Sequence, residues 1–478
     1  MKTIGQLLSQ LSGAQVVGQV DLPFTRVHTD TRSLQPGDLF VALKGERFDA
    51  HEFLPQARAQ GTLAAIADHG LIEAGMPGVL VTDTRRALGE LARLWRNQFT
   101  LPLIAVTGSN GKTTVTQMIA SILRAAAGDA AHATQGNFNN DIGVPLTLLR
   151  LQASHRLSVV ELGMNHPGEI AELALLAQPT VALVNNAQRE HQEFMASVEA
   201  VALENGQVIQ ALAADGVAVF PSDDTYTPLW RKLAGQRRVL TFSDTDPGAD
   251  VTAVSAEWQG GAWELRFNSS AGQASVRLRI AGRHNVRNAL AATACALAAG
   301  VPLEAVARGL DAFEPVGGRS RALSLRLGER QLTLIDDTYN ANPDSVRAAI
   351  DVLAELPAPR LLALGDMGEV GEQGLAFHEE VLRHAQARGI EAVHVTGDWM
   401  SRACTALREA GEPEPVHWVE VPAMAGAICA AVSDDRPVFR SVLVKGSRFM
   451  RMERVVQALQ GLEHARQPDQ LKDNAHAA

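Results

Sequence analysis

Short apolar runs separated by turn residues open the chain. GDLFVAL, TLAAIA and GVLVT, all before residue 83, read as strands of a small α/β unit. Ahead of them, MKTIGQLLSQLSGAQVVG carries apolar positions at helical spacing and predicts an amphipathic helix. TRRALGELARLWRNQF has the same helical spacing and leads into LPLIAVTGSNGKTT, an apolar strand, a tight turn and a helix start. Strands then alternate with helices through LSVVELG, TVALVNNA and GVAVFPSDD, the pattern of a mainly parallel sheet with helices on both faces. From 250 to 281 the period drops to two: DVTAVSAEW, AWELRFNS and ASVRLRIAG predict antiparallel strands. GRHNVRNALAATACALAAG predicts a helix closing at Gly300. Pro315, Gly317 and Gly318 in FEPVGGRS mark a hinge or boundary, and LTLIDD, RLLALGD, AVHVTGD and SVLVKGS beyond it predict a second doubly wound sheet.

These patterns divide the chain into three α/β domains, 1–83, 84–314 and 315–462. The polar, aperiodic end, 463–478, is read as a disordered tail. A length of 478 residues exceeds what one hydrophobic core serves. A hydrophobic fraction of 46% and 20% charged residues suit a soluble globular protein. No apolar run is long enough to span a bilayer, and the N-terminus lacks the features of a secretory signal. Cys295, Cys404 and Cys429 are dispersed, without metal-ligand spacing, which fits a reducing cytoplasm. The net charge of −10 argues against a general nucleic-acid binder but leaves anionic small ligands open.

The chemistry concentrates in AVTGSNGKTTV. A common phosphate loop would carry glycine at 106, where Val106 stands; the early glycine is instead Gly108. Lys112 and Thr113 still open a helix after an apolar strand. Unpaired N–H groups at such a helix start attract phosphate, Gly108 and Gly111 permit close approach, and Thr113 can hold Mg²⁺. Glu161, ending LSVVELG, and His191, after TVALVNN, fall at the same sheet edge and are candidate metal ligands or water-positioning groups. Thr134, Gln135, Asn137, Asn139 and Asn140 crowd one loop and suit a polar substrate lip, although asparagines also serve turns.

Together these runs resemble the Mur ligases of peptidoglycan synthesis, whose ATP loop reads T-G-[ST]-N-G-K-[ST]-[ST], here Thr107 to Thr114. The loop is therefore intact, with that family's own glycine spacing. The resemblance covers nearly the whole chain, through HTDTRSLQPGDLFVALKGERFDAHEF, TQGNFNNDIGVPLTLL, ELGMNHPGEI, DDTYNANPDSVRAAI, LGDMGEVGE and VKGSRFMRME. It implies a UDP-substrate domain, a central ATPase domain and a Rossmann-like C-terminal domain. DDTYNANP, with GEI after NHPG, resembles the member that joins D-alanyl-D-alanine to UDP-N-acetylmuramoyl-tripeptide, using ATP and Mg²⁺, in the cytoplasm.

By the same resemblance, Gly108, Ser109, Asn110, Gly111, Lys112, Thr113 and Thr114 would bind the ATP phosphates, Asn285 and Asn288 the adenine side, Asp337 the ribose and Arg319 a phosphate. Lys112, Glu161 and His191 would be catalytic, with Thr113, Glu161 and His191 around metal. Asp30, Thr31, Arg32 and Lys44 would dock the UDP-sugar, and Tyr339, Asn340 and Asn342 the dipeptide. One position departs from the family: many members carry a lysine, carbamylated to bridge metal, where this chain has Asn205, and no lysine occurs between Lys112 and Lys232. A second ion would have to rely on Glu161, His191, Glu204 or the Asn205 amide. One ATP touching both sides of the Gly317–Gly318 hinge implies domain closure. A monomer without membrane insertion is expected. The competing readings are a sister ligase adding an earlier amino acid, a folylpolyglutamate synthase-like ligase, and a nucleotide-gated binding protein. A GTP-dependent switch would need an N-K-x-D guanine-reading motif, which is missing from the sequence.

Overall fold

The computed structural model describes residues 1–45, 48–190, 193–434 and 438–465. They form three α/β domains, each built on its own sheet. The first sheet runs Gln15–Val17, Gly78–Leu80, Ala64–Ala67, Leu39–Val41, Val27–His28, with only the Gln15–Val17 edge antiparallel. Side chains alternate across it as a strand requires. Leu39 and Val41 face one core, while Phe40 and Ala42 join Leu54 and Ala57 in another.

Nine strands make the central sheet, in the order Gly272–Leu278, Ala262–Ser269, Val251–Gln259, Arg238–Ser243, Val217–Pro221, Val181–Val184, Leu103–Thr107, Leu157–Glu161, Ala131–Ala133. The first three form an antiparallel meander and the rest are parallel. Leu103–Thr107 is followed in sequence by strands on its Leu157–Glu161 side and later by Val181–Val184 on its other side. Strand order reverses there, opening a crevice at the carboxyl ends where open α/β sheets take ligands. The third sheet runs Arg321–Leu327, Arg330–Asp337, Ser441–Lys445, Arg360–Gly365, Ala392–Thr396, Val416–Trp418, antiparallel only in its first pair.

Helix Thr84–Arg96 joins the first two sheets. The Asp83 carboxylate caps its start by accepting from the Arg85 and Arg86 N–H groups. Its buried face, with Leu88, Leu91 and Ala92, lies in one continuous core with Leu39 and Ile66 of the first sheet and Leu103, Ala105 and Val160 of the central sheet. At the far end the buried Arg96 guanidinium donates to the carbonyls of Ala177, Phe99 and Gln178.

Several local expectations change. The N-terminal helix covers only Ile4–Leu8; Gln15–Val17 then pairs with Gly78–Leu80, because β-branched Val16 and Val17 fit the edge of a sheet that a helix would leave open. The third sheet has six strands where apolar runs suggested four. The additional Arg321–Leu327 and Val416–Trp418 are its half-exposed edges and lack a continuous apolar run. The last helix, Glu453–Ala465, extends past 462, and residues 466–478 of the expected tail lie outside the described residues. Among the described residues no helix is long and apolar enough to cross a membrane. All three cysteines are free thiols, and burial pushes the Cys404 thiol up to about 11.

Candidate active site

The fully buried strand Leu103–Thr107 ends at the crevice, and Gly108 to Gly111 turn the chain into helix Lys112–Ala127. Gly108 and Gly111 have φ of 131° and 81°, conformations that side chains disfavour. A Cβ on Gly111 would also meet Asn288 Oδ1 at 2.7 Å and Asn185 Nδ2 at 2.8 Å. No side chain caps this helix start, which lines a cleft of about 1270 Å³.

A belt of amides after strand Val181–Val184 holds the loop. Asn186 grips Asn110 twice, accepting from its N–H at 2.8 Å and donating to its carbonyl at 2.9 Å. Asn185 Nδ2 donates to the same carbonyl at 2.8 Å and to Asn288 Oδ1 at 3.0 Å. Gln188 accepts from Asn110 Nδ2 at 2.6 Å, and its N–H donates to the Ser109 hydroxyl at 2.8 Å. From behind, Asn205 Oδ1 accepts from the Thr107 hydroxyl at 2.6 Å and from the Gly108 N–H at 3.0 Å. The Lys112 ammonium donates to the Gly108 carbonyl at 2.6 Å and the Ser109 carbonyl at 3.1 Å, and lies 3.1 Å from Glu190 Oε2.

Beside the loop, Glu161 is buried, with Oε1 accepting from the Thr113 hydroxyl at 3.0 Å and from Asn139 Nδ2 at 2.7 Å. Its Oε2 is buried without a hydrogen-bond partner. An orphaned carboxylate oxygen next to a threonine hydroxyl is a donor set suited to a hard cation such as Mg²⁺. The two residues considered as substitutes for the family lysine do not fit a second ion. Glu204 Oε1 accepts from the Ile170 N–H at 2.9 Å, and Asn205 Oδ1 is spent on the loop. Both point at backbone donors, which repel a cation. His191 lies outside the described residues.

The third domain closes the cleft. Tyr339, Asn340, Asn342, Asp337 and Arg319 all line it, opposite Ser109 to Thr114. Asn342 caps helix Pro343–Glu355 and reaches across to donate to Asn110 Oδ1 at 2.9 Å. The Arg319 guanidinium lies 4.0 Å over the Tyr339 ring. Asp337 accepts from the Ser320 N–H at 2.9 Å and meets Lys445 Nζ at 2.6 Å. Burial raises this carboxyl, but the Lys445 charge and hydrogen bond outweigh it and leave it below its ordinary value. Arg189 spans the same gap: it is bidentate to Asp344, binds both Glu380 oxygens at 2.8 and 3.0 Å, and stacks on Phe377 at 5.3 Å.

Asn285 and Asn288 border the cleft but are tied into a buried amide chain. Asn288 donates to Asn285 at 2.8 Å, and Asn285 donates to the Ala281 carbonyl at 2.7 Å. Asn137 and Asn140 line the cleft, and Asn140 also caps helix Gly143–Leu148 through the Gly143 N–H. Thr134 does not reach the cleft lining; its hydroxyl accepts from the Glu161 N–H at 2.9 Å, so it positions that carboxylate from behind. Asp30, Thr31, Arg32 and Lys44 sit on the first domain, away from the cleft lining. There the Arg32 side chain and N–H hold the Asp30 carboxyl down at about 2, and Lys44 is largely exposed.

Sequence reading missed Asn185, Asn186, Gln188, Arg189 and Glu190. The available signal was the polar run NNAQRE directly after a core strand at the edge that carries the phosphate loop.

Three family models match the chain: the catalytic domain of the Mur ligase family over residues 23–96, the Mur ligase middle domain over 106–296, and the Mur ligase glutamate ligase domain over 323–448. The UDP-N-acetylmuramoyl-tripeptide–D-alanyl-D-alanine ligase of Escherichia coli K12 is 41% identical over 96% of this chain and 98% of its own length. Among solved structures, MurF from Acinetobacter baumannii superimposes with a TM-score of 0.86 at 34% identity, covering 96% of this chain and 98% of the other. MurF ligase from Thermotoga maritima in complex with ADP gives 0.79 at 25% identity, covering 92% and 98%.

Proposed function

Because the chain belongs to the Mur ligase family, we propose that it joins D-alanyl-D-alanine to UDP-N-acetylmuramoyl-tripeptide with ATP as the energy source, in the cytoplasm. The observation that carries this reading is the single cleft in which the phosphate loop faces Asp337 to Asn342 of the third domain. A carboxylate has no adequate leaving group for attack by an amine. ATP supplies one: the tripeptide carboxylate takes the γ-phosphoryl group, ADP departs, the dipeptide amine attacks the acyl carbon, and phosphate leaves with the proton balance made by solvent.

Two anions must meet in the first step, so positive charge and N–H donors have to line the path. Lys112 and the helix start serve that need on the central side, and Arg319 on the third-domain side. Thr113 and Glu161 would hold Mg²⁺, which supplies charge neutralisation at the phosphates. Asp337 and the Asn285–Asn288 edge accept the nucleoside. Tyr339 and Asn340 face the dipeptide, while Asn342 ties that loop to Asn110. Asp30, Thr31, Arg32 and Lys44 take the UDP-sugar end. All cleft residues come from one chain, in keeping with a monomer.

The test is phosphate release with purified protein, ATP, UDP-N-acetylmuramoyl-tripeptide and D-alanyl-D-alanine. Release is expected only with both peptide substrates present. Steady ATP hydrolysis without either one would sink the ligase assignment.

A further inference from the structure

The phosphate-loop lysine is already paired within the protein. Lys112 Nζ lies 3.1 Å from Glu190 Oε2, with the two side chains 15% and 5% exposed. Both residues line the cleft, so the carboxylate stands at the place where polyphosphate charge would arrive. The two carbonyls that Lys112 also binds, on Gly108 and Ser109, belong to its own loop, which curls the side chain back on itself.

Glu190 is not placed by chance. The preceding residues Asn185, Asn186 and Gln188 are hydrogen-bonded to the loop backbone and side chains, which fixes the segment on one side. The neighbouring Arg189 is fixed on the other: its N–H donates to Asp344 Oδ2 at 2.9 Å and its guanidinium binds Asp344 and Glu380. Asp344 sits in the first turn of helix Pro343–Glu355 and Glu380 in helix Gly374–Ala387, both in the third domain. Consecutive residues thus tie the third domain to the phosphate-loop lysine.

We infer that Glu190 is a resident counter-ion that competes with nucleotide phosphate for Lys112, held in place by the Arg189 clamp. It keeps the lysine charge compensated before nucleotide arrives, and phosphate binding requires Lys112 to exchange a carboxylate for a phosphate oxygen. The inference rests on the nucleotide reading of the loop. It assigns Glu190 a role opposite to that of a metal ligand, because a carboxylate at this place repels a bare polyphosphate.

The test is the dissociation constant of ADP for the full chain, in EDTA and in excess Mg²⁺, for wild type, Glu190→Gln and Glu190→Ala. Removing the carboxylate leaves Lys112 with its two carbonyl acceptors, so the variants are expected to fold, checked by an unchanged circular dichroism spectrum. Should one fail to fold, the other still decides. The expected result is ADP binding about tenfold or more tighter than wild type in EDTA. Equal or weaker binding in EDTA would overturn the inference. So would a loss of affinity confined to Mg²⁺, which would make Glu190 a metal ligand. Absence of ADP binding by the wild type would instead strike the nucleotide reading itself.

Discussion

Asn205 Oδ1 lies 2.6 Å from the Thr107 hydroxyl oxygen, joining helix Val198–Gln210 to the end of the strand that feeds the phosphate loop. The residue standing at the family lysine position is thus a brace for the loop. Replacing it with alanine strands a buried hydroxyl and the Gly108 N–H. Asn205→Ala is expected to cost about 1–3 kcal/mol of stability and to lower turnover, read by thermal denaturation and a phosphate-release assay. In wild type, purging CO₂ from the buffer should leave the rate unchanged. A rate that falls and returns with bicarbonate would show a carbamate on some other lysine.

Lys112→Ala should reduce turnover by about 10²-fold or more, the scale of removing a preorganised charge from a transition state. The fold should survive, because this side chain packs against its own loop and no core. A circular dichroism spectrum matching wild type, together with the rate, tests both halves.

The orphaned Glu161 Oε2 predicts a specific metal phenotype. Glu161→Gln keeps the shape and can still accept from Thr113, but removes the negative charge a hard cation needs. The Mg²⁺ concentration for half-maximal rate should rise by about tenfold or more, given that even outer ligands of metal sites cost 10–100-fold. An unchanged Mg²⁺ titration would remove Glu161 from the metal site.

Domain closure can be addressed through Arg189. Its guanidinium is fully engaged with Asp344 and Glu380, so the central and third domains are held together without ligand. Arg189→Ala is expected to enlarge the radius of gyration of the free protein in small-angle scattering, and added ADP with the UDP-substrate should compact it again. Wild type should change less. Identical scattering from both free proteins would mean that other contacts hold the gap.

The Asp337–Lys445 pair gives a pH signature. The folded carboxyl sits below its ordinary value, so it binds fewer protons at acid pH than the unfolded one. Its stabilisation is therefore complete above the unfolded value, 3.8, and is lost as pH falls through the lower folded value. Asp337→Asn should cost about 3 kcal/mol at neutral pH, as breaking a buried pair does. The gap to wild type in urea unfolding should narrow below that pH. A constant gap would show that the charge is immaterial.

The sheets were legible where strands are buried on both faces, as at LIAVT, LSVVE and RLLALG, because continuous apolar runs mark such strands. Edges such as Val416–Trp418 were not, since exposure on one side erases the pattern. In the cleft, Lys112 and Thr113 were readable because local loop chemistry demands them. Arg189 and Glu190 were not, because their partners Asp344, Glu380 and Lys112 are far away in sequence and only the fold brings them close. Thr134 was misjudged as a lip residue for a related reason: its single hydroxyl could serve solvent or backbone, and tertiary packing chose the Glu161 N–H.

The core that helix Thr84–Arg96 shares with the first and central sheets leaves little room for bending between them. On the proposed reading, one end of the substrate is anchored on the first sheet and its reactive end must lie at the phosphate loop. A joint filled with leucines at a fixed separation then works as a gauge. A peptide one residue too short would not bring its carboxylate to Lys112, and one too long would overshoot, so the span between two domains measures the length of the substrate before any side chain reads its identity.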